Sequence, residues 1–171
     1  MKKQIKLYNV IFPIWLLLIF PQTWLVSIPT NFIIDLTVVV VAMKLLKIND
    51  IKLYAKKSIL NVVVFGFLSD IIGGLFMLLP NFIYSSVPNN ISDWMYRHIL
   101  TAAMYDPFSS LWGFLYVVFC IVISSVFIYL FNSKLSFNKT EISIIEKKKI
   151  SLALAIVTAP YLFLIPYNVF N

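Results

Sequence analysis

The chain has 171 residues, 61% of them hydrophobic and only 12% charged, with 14 Lys and Arg against 7 Asp and Glu and a net charge of +7. Soluble domains are about half apolar and a quarter charged, so this composition offers too little polar surface to cover a soluble globule, and lipid is the natural solvent. The positive charges sit in short segments between apolar blocks, which points to lipid headgroups and topology and excludes a folded nucleic-acid reader.

One cysteine, Cys120, and one histidine, His98, rule out an intrachain disulfide and leave no zinc site of the usual type, so no metal and no cofactor is expected. The basic start and apolar run resemble a secretory signal. The run lacks a small-x-small cleavage site and carries Pro21, Trp24 and Pro29 in its place, so it reads as an uncleaved first span.

That first span covers residues 8–26 and should bend near Phe20, because Pro13 and Pro21 each remove a backbone hydrogen bond and clash one turn back. Residues 27–31 read as a tight turn punctuated by Pro29, with Thr30 or Asn31 available to cap the next helix. The second span covers residues 31–46 and leads into a basic stretch with Lys44, Lys47, Lys52, Lys56 and Lys57. The third covers residues 58–79 and should end at Pro80.

Residues 80–110 form the longest segment without a spanning block. Within it Ser92 can cap a helix whose positions Ile91, Trp94, Met95, His98, Ile99 and Ala102 fall on one side at 100° per residue. Trp94 and Tyr96 suit the headgroup boundary, so a short interfacial helix is expected on the outer surface, with a re-entrant or poorly formed sixth span as the alternative. The fourth span covers residues 111–131. A loop with Lys134, Lys139, Lys147, Lys148 and Lys149 separates it from the fifth, residues 150–170, which Pro160 and Pro166 should kink.

The fold class is therefore all-α, a single polytopic transmembrane bundle of five spanning helices plus an interfacial amphipathic helix over residues 1–171. With five spans, Lys2, Lys3, Lys6 and both lysine clusters fall on one side and only Arg97 on the other. The positive-inside bias then puts the N-terminus in the cytoplasm and the C-terminus outside. The Ile-, Lys-, Asn- and Phe-rich usage suggests an AT-rich bacterial genome and hence a bacterial plasma membrane.

Helices in lipid gain nothing by hiding hydrocarbon from hydrocarbon, so cohesion comes from close approach over small residues. Such stripes occur at Asn31, Asp35, Val38 and Ala42; at Gly66, Ser69, Asp70, Gly73 and Gly74; at Gly113, Cys120 and Ser124; and at Ser151, Ala155, Thr158 and Ala159. Asp35 and Asp70 are the informative residues, because an acid in hydrocarbon costs at least about 2.5–3.5 kcal/mol on insertion scales. With Asn31 and Ser69 they form a candidate intramembrane polar site in the outer half of the bundle. Each acid is either a hydrogen-bonded lock between helices or part of a ligand, proton or cation site, and Asp35 could also be a wet boundary residue. Asp70 is expected to matter more, since Gly66 and Gly74 flank it one turn away on either side. Arg97 and His98 form a candidate external mouth, although a phosphate contact and a structural role, respectively, are the simpler readings.

Catalytic motifs are absent: there is no phosphate-binding glycine loop, no paired-histidine helix motif and no serine elbow. The run Phe65-Gly66-Phe67-Leu68-Ser69-Asp70-Ile71-Ile72-Gly73-Gly74 resembles a stretch of the MreD family of cell-shape membrane proteins, and of the substrate-binding subunits of energy-coupling-factor vitamin transporters. The resemblance implies a small bundle of five or six spans and no particular site residue. The first functional expectation is a small solute- or ion-transport component. The alternatives are a non-catalytic membrane scaffold or partner-binding protein of the cell envelope, and then a membrane-embedded enzyme. Expected partners are the bilayer, anionic lipid at the lysine clusters, and a membrane-protein partner or second copy.

Overall fold

The computed structural model describes residues 21–167, which are helical with no strand among them. Helix α1 covers Pro21–Leu45 and α2 covers Ile51–Ile83. Between them the chain reverses in a short turn in which Lys47 and Asp50 take left-handed conformations, both with φ 55°. Ile48 donates to the Met43 carbonyl at 3.0 Å, closing the end of α1. A 3-10 turn, Tyr84–Ser86, follows α2.

Helices α3, Asn89–Met95, and α4, Thr101–Tyr105, are joined without a break by a π-helical turn, Tyr96–Leu100, and so make one rod. Helix α5, Leu111–Phe131, runs on into a second π turn, Asn132–Ser136. Helix α6, Ile144–Val157, is capped by Ser143 and followed by a 3-10 turn, Tyr161–Leu164. Helix α2 packs on α1 and α5, and α6 packs on the same two, so α1, α2, α5 and α6 close into a four-helix bundle with the α3–α4 rod against α5.

Three helical stretches, Trp24–Leu45, Ile51–Ser86 and Leu111–Ser136, are long and apolar enough to cross a membrane. Their outward faces carry exposed apolar side chains such as Ile33, Leu60, Leu75, Leu115 and Val122, the surface that hydrocarbon would wet. Helix α6 has 14 residues, about 21 Å at 1.5 Å per residue, which is short of the roughly 30 Å hydrocarbon core.

Several sequence expectations change. Residues 8–20 of the first span lie outside the described residues, but its end, residues 21–26, belongs to α1, and no turn interrupts residues 27–31. The helix absorbs Pro29. Only one N–H is lost there, and the Thr30 hydroxyl donates to the Val26 carbonyl at 2.8 Å, giving a neighbouring carbonyl a partner. Pro80 does not end α2 either, since a proline lacks a donor but keeps its carbonyl, and that carbonyl accepts from the Tyr84 N–H. Helix α2 also starts earlier than expected, so Lys52, Lys56 and Lys57 ride on its first turns.

The continuous fifth helix over residues 150–170 is corrected to α6, an irregular joint at Thr158–Pro160 and a 3-10 turn. Pro160 cannot donate and restricts the residue before it, so the helix stops where Thr158 leaves helical geometry at φ −106° and ψ 15°. The helix expected in residues 91–104 is present. It starts at Asn89 behind Pro88 and not at Ser92, because Pro88 has the extended conformation of a helix-entry residue.

The core has two apolar halves. One, toward the lysine-bearing ends, includes Val39, Met43, Val62, Ile128, Phe137, Ile150 and Leu154; the other includes Met77, Ala103, Val117, Cys120, Ile121, Ala159 and Phe163.

Candidate functional site

Polar residues occupy the layer between the two halves. On α2, Asp70 falls between Val62 of one half and Met77 of the other; on α5, Ser124 falls between Ile121 and Ile128; beyond α6, Thr158 falls between Leu154 and Ala159. Asp35 on α1 lies one turn before Val39. The bundle therefore buries two carboxyls and the Ser124 hydroxyl at one level, with Thr158 half-buried beside them.

Asp35 is 4% exposed and Asp70 7%, so both carboxyls are buried in the bundle. The expectation that Asp35 sits near the end of its span fails with the missing turn, since α1 begins at Pro21 and not at residue 31. The Ser124 hydroxyl donates to Asp70 Oδ1 at 2.9 Å. The Thr158 hydroxyl faces the Asp35 carboxyl while donating its own proton to the Leu154 carbonyl at 2.9 Å. Asp35 Oδ2 lies 3.5 Å from where a Cβ on Gly66, one turn before Asp70, would stand.

Glycine sets how closely α2 and α5 meet. A Cβ on Gly73 would lie 3.0 Å from Ser124 Cβ, 3.2 Å from Phe163 Cε2 and 3.3 Å from the Cys120 carbonyl oxygen, whereas one on Gly74 would meet nothing within 4 Å. The close approach expected along Gly66 and Gly74 is thus made at Gly73. The Tyr116 hydroxyl adds a further tie from α5, donating to the Phe76 carbonyl of α2.

The other candidates fall elsewhere. Asn31 is half-buried one turn before Asp35 on the same side of α1. Ser69 is fully buried, but its hydroxyl donates to the Phe65 carbonyl of its own helix at 2.7 Å, so it braces α2 and does not serve Asp70. Arg97 and His98 are exposed on the α3–α4 rod. His98 stacks near Trp94, with ring centroids 5.5 Å apart, and Trp94 meets Trp112 at 5.6 Å. The sequence reading counted Ser124 and Thr158 as small packing residues and missed them as partners of the acids. Their signal was that each shares a helix face with small residues, which only the bundle brings opposite a carboxyl.

Among the described residues no group of three or more His, Cys, Asp or Glu could hold a metal. No known protein family, curated protein or solved structure matches the chain, so the resemblance around Asp70 carries no family assignment.

Proposed function

We propose that this chain is a non-catalytic integral membrane protein of the scaffold or partner-binding kind, in which the buried acids lock the bundle. The closure at Gly73 carries this reading. Backbone and side chains of α5 and Phe163 press against α2 one turn from Asp70, leaving no width there for a solute. Bonds between buried polar groups then act as glue between helices.

In this reading α1, α2, α5 and α6 with its continuation make four crossings. The span read from sequence over residues 8–26 gives residues 21–26 to α1, and the rest of it lies outside the described residues. The lysine-bearing ends of the four helices face the cytoplasm of a bacterial plasma membrane by the positive-inside bias. The partner is a membrane protein or a second copy, received on the exposed apolar faces.

The two buried carboxyls favour a second reading, a transport component for protons or small cations, since acids inside a membrane bundle often mark ion or proton pathways. Proteoliposomes holding the purified protein and a proton-sensitive dye separate the two. The scaffold predicts no proton or sodium flux above empty vesicles. A flux lost in Asp70→Asn reverses the order of the readings.

A further inference from the structure

The lipid-facing side of the α1–α2 pair is not smooth. Phe32, Leu36 and Val40 on α1 and Ile51, Ala55 and Ile59 on α2 line an open groove of about 540 Å³, and Lys52 and Lys56 stand along it. The three α1 residues are four apart and so form one ridge, as Lys52 and Lys56 do on α2. The helices run antiparallel from their shared turn, so Ile51 and Lys52 lie at the Val40 end, and Phe32 lies with Ile59 about 12 Å further in at 1.5 Å per residue. The walls are apolar, and the charges beside them are Lys52 near the turn and Lys56 one helical turn further in.

We infer that this groove is a binding site for an anionic phospholipid, with an acyl chain along Phe32, Leu36 and Ile59 and the phosphate held by Lys52 and Lys56. An apolar trough bordered by two cations one helical turn apart complements a lipid carrying one negative charge above its tails, and long lysine stems can lie along the trough while their heads snorkel to the phosphate. A smaller cleft between α5 and α6 repeats the combination, with Tyr129, Ile145 and Leu152 as walls and Lys148 and Lys149 beside them. Pairing of an apolar cleft with two lysines thus occurs at both helix pairs that end on the lysine side.

The inference rests on the membrane-spanning reading, and alkaline extraction of the same membranes checks that reading separately. If the protein washes off, the reading fails; if it stays, the groove alone is on trial. The full-length protein is reconstituted with phosphatidylglycerol or phosphatidylcholine carrying a photoactivatable acyl chain, and labelled residues are located by mass spectrometry. Phosphatidylglycerol should label Phe32, Leu36 or Ile59 in preference to the exposed Leu60 on the same helix, on the order of ten-fold more than phosphatidylcholine does. Lys52→Gln with Lys56→Gln should erase that preference, Lys52→Arg with Lys56→Arg should keep it, and Lys148→Gln with Lys149→Gln should leave it unchanged. Free glycerol phosphate should not compete. Equal labelling by both lipids, preference retained in the Gln pair, or competition by free glycerol phosphate would each overturn the lipid site.

Discussion

Ser124 on α5 donates its hydroxyl proton to Asp70 on α2 at 2.9 Å, and this bond crosses the contact that Gly73 draws close one turn away. Asp70→Asn keeps an oxygen to accept from Ser124 and nearly the same shape, so thermal unfolding in mild detergent should stay near wild type. Asp70→Leu removes the acceptor and should lower the midpoint clearly. Ser124→Ala should cost about 0.6–1.5 kcal/mol, the range for a buried bond between helices in lipid and in water. In the double variant the losses should not add, because each change removes the same bond. Additive losses would show that the two side chains act separately.

Gly73 and Gly74 are neighbours in sequence and opposites in packing. Gly73→Ala forces atoms only 3.0–3.3 Å away to shift, and Gly73→Leu should prevent the α2–α5 contact and abolish folded yield. Gly74→Ala meets nothing within 4 Å and should be neutral or stabilising by up to about 1 kcal/mol from helix propensity. Size-exclusion profiles and melting curves of the three variants check this, and equal damage at both positions would place the helix contact elsewhere.

The contrast marks how far the sequence could be read. Apolar blocks of about twenty residues were enough to locate α2 and α5, because hydrocarbon thickness fixes helix length. Small-residue stripes were enough to locate Gly113, Cys120, Ser124 and Ala155 in the core. Pro29 and Pro80 misled, since each removes a single N–H from a long hydrophobic helix whose other bonds carry it through. Asp35 and Asp70 stood out as costly residues, but their hydroxyl partners lie 54 positions or more away in the chain, and no local pattern ties Ser124 to Asp70 or Thr158 to Asp35. Gly73 and Gly74 both look like contact residues on a helical wheel, and only the placement of Ser124, Cys120 and Phe163 separates them.

Gly113 docks the α3–α4 rod onto α5. A Cβ there would fall 2.1 Å from Ala102 Cβ and 3.1 Å from the His98 carbonyl oxygen, so Gly113→Ala should push the rod away while the four-helix bundle stays folded. Limited proteolysis between residues 86 and 110 should speed up, and Ala102→Gly in the same chain should restore resistance. Failure of that rescue would mean the rod is held by something other than this crossing.

The ends of α1, α2, α5 and α6 that carry lysines should share one side of the membrane. In a Cys120→Ser background, cysteines at Lys52, Ser133 and Lys139 should be protected together from an impermeant thiol reagent in intact cells, and one at Ser86 should react. Reaction at Ser86 and Lys52 alike would remove the crossing assigned to α2.

The start of α6 is held by a reciprocal cap that makes its stability depend on pH. Ser143 N–H and Oγ both donate to Glu146 Oε2, at 3.0 and 2.6 Å, and the Glu146 N–H donates back to Ser143 Oγ at 3.3 Å. These bonds, side-chain first and backbone second, with Lys149 adding its charge, hold the Glu146 carboxyl below its ordinary value of 4.5. A carboxyl with a lowered folded-state pKa stabilises the fold above the unfolded value and loses that stabilisation as pH falls through the folded value. The contribution of the cap should therefore be full at pH 7 and decline below about pH 4.5 as Glu146 takes up a proton. Ser143→Ala removes the acceptor for the Glu146 N–H and the Oγ bond to Glu146 Oε2, leaves the bond from the Ser143 N–H, and should cost roughly 1 kcal/mol at pH 7. The gap in melting temperature between wild type and Ser143→Ala should then narrow when both are taken to pH 3, whereas Ser143→Thr, which keeps the hydroxyl, should follow wild type throughout. A gap that stays constant from pH 7 to pH 3 would mean that the hydroxyl, and not the Glu146 carboxylate, carries the cap.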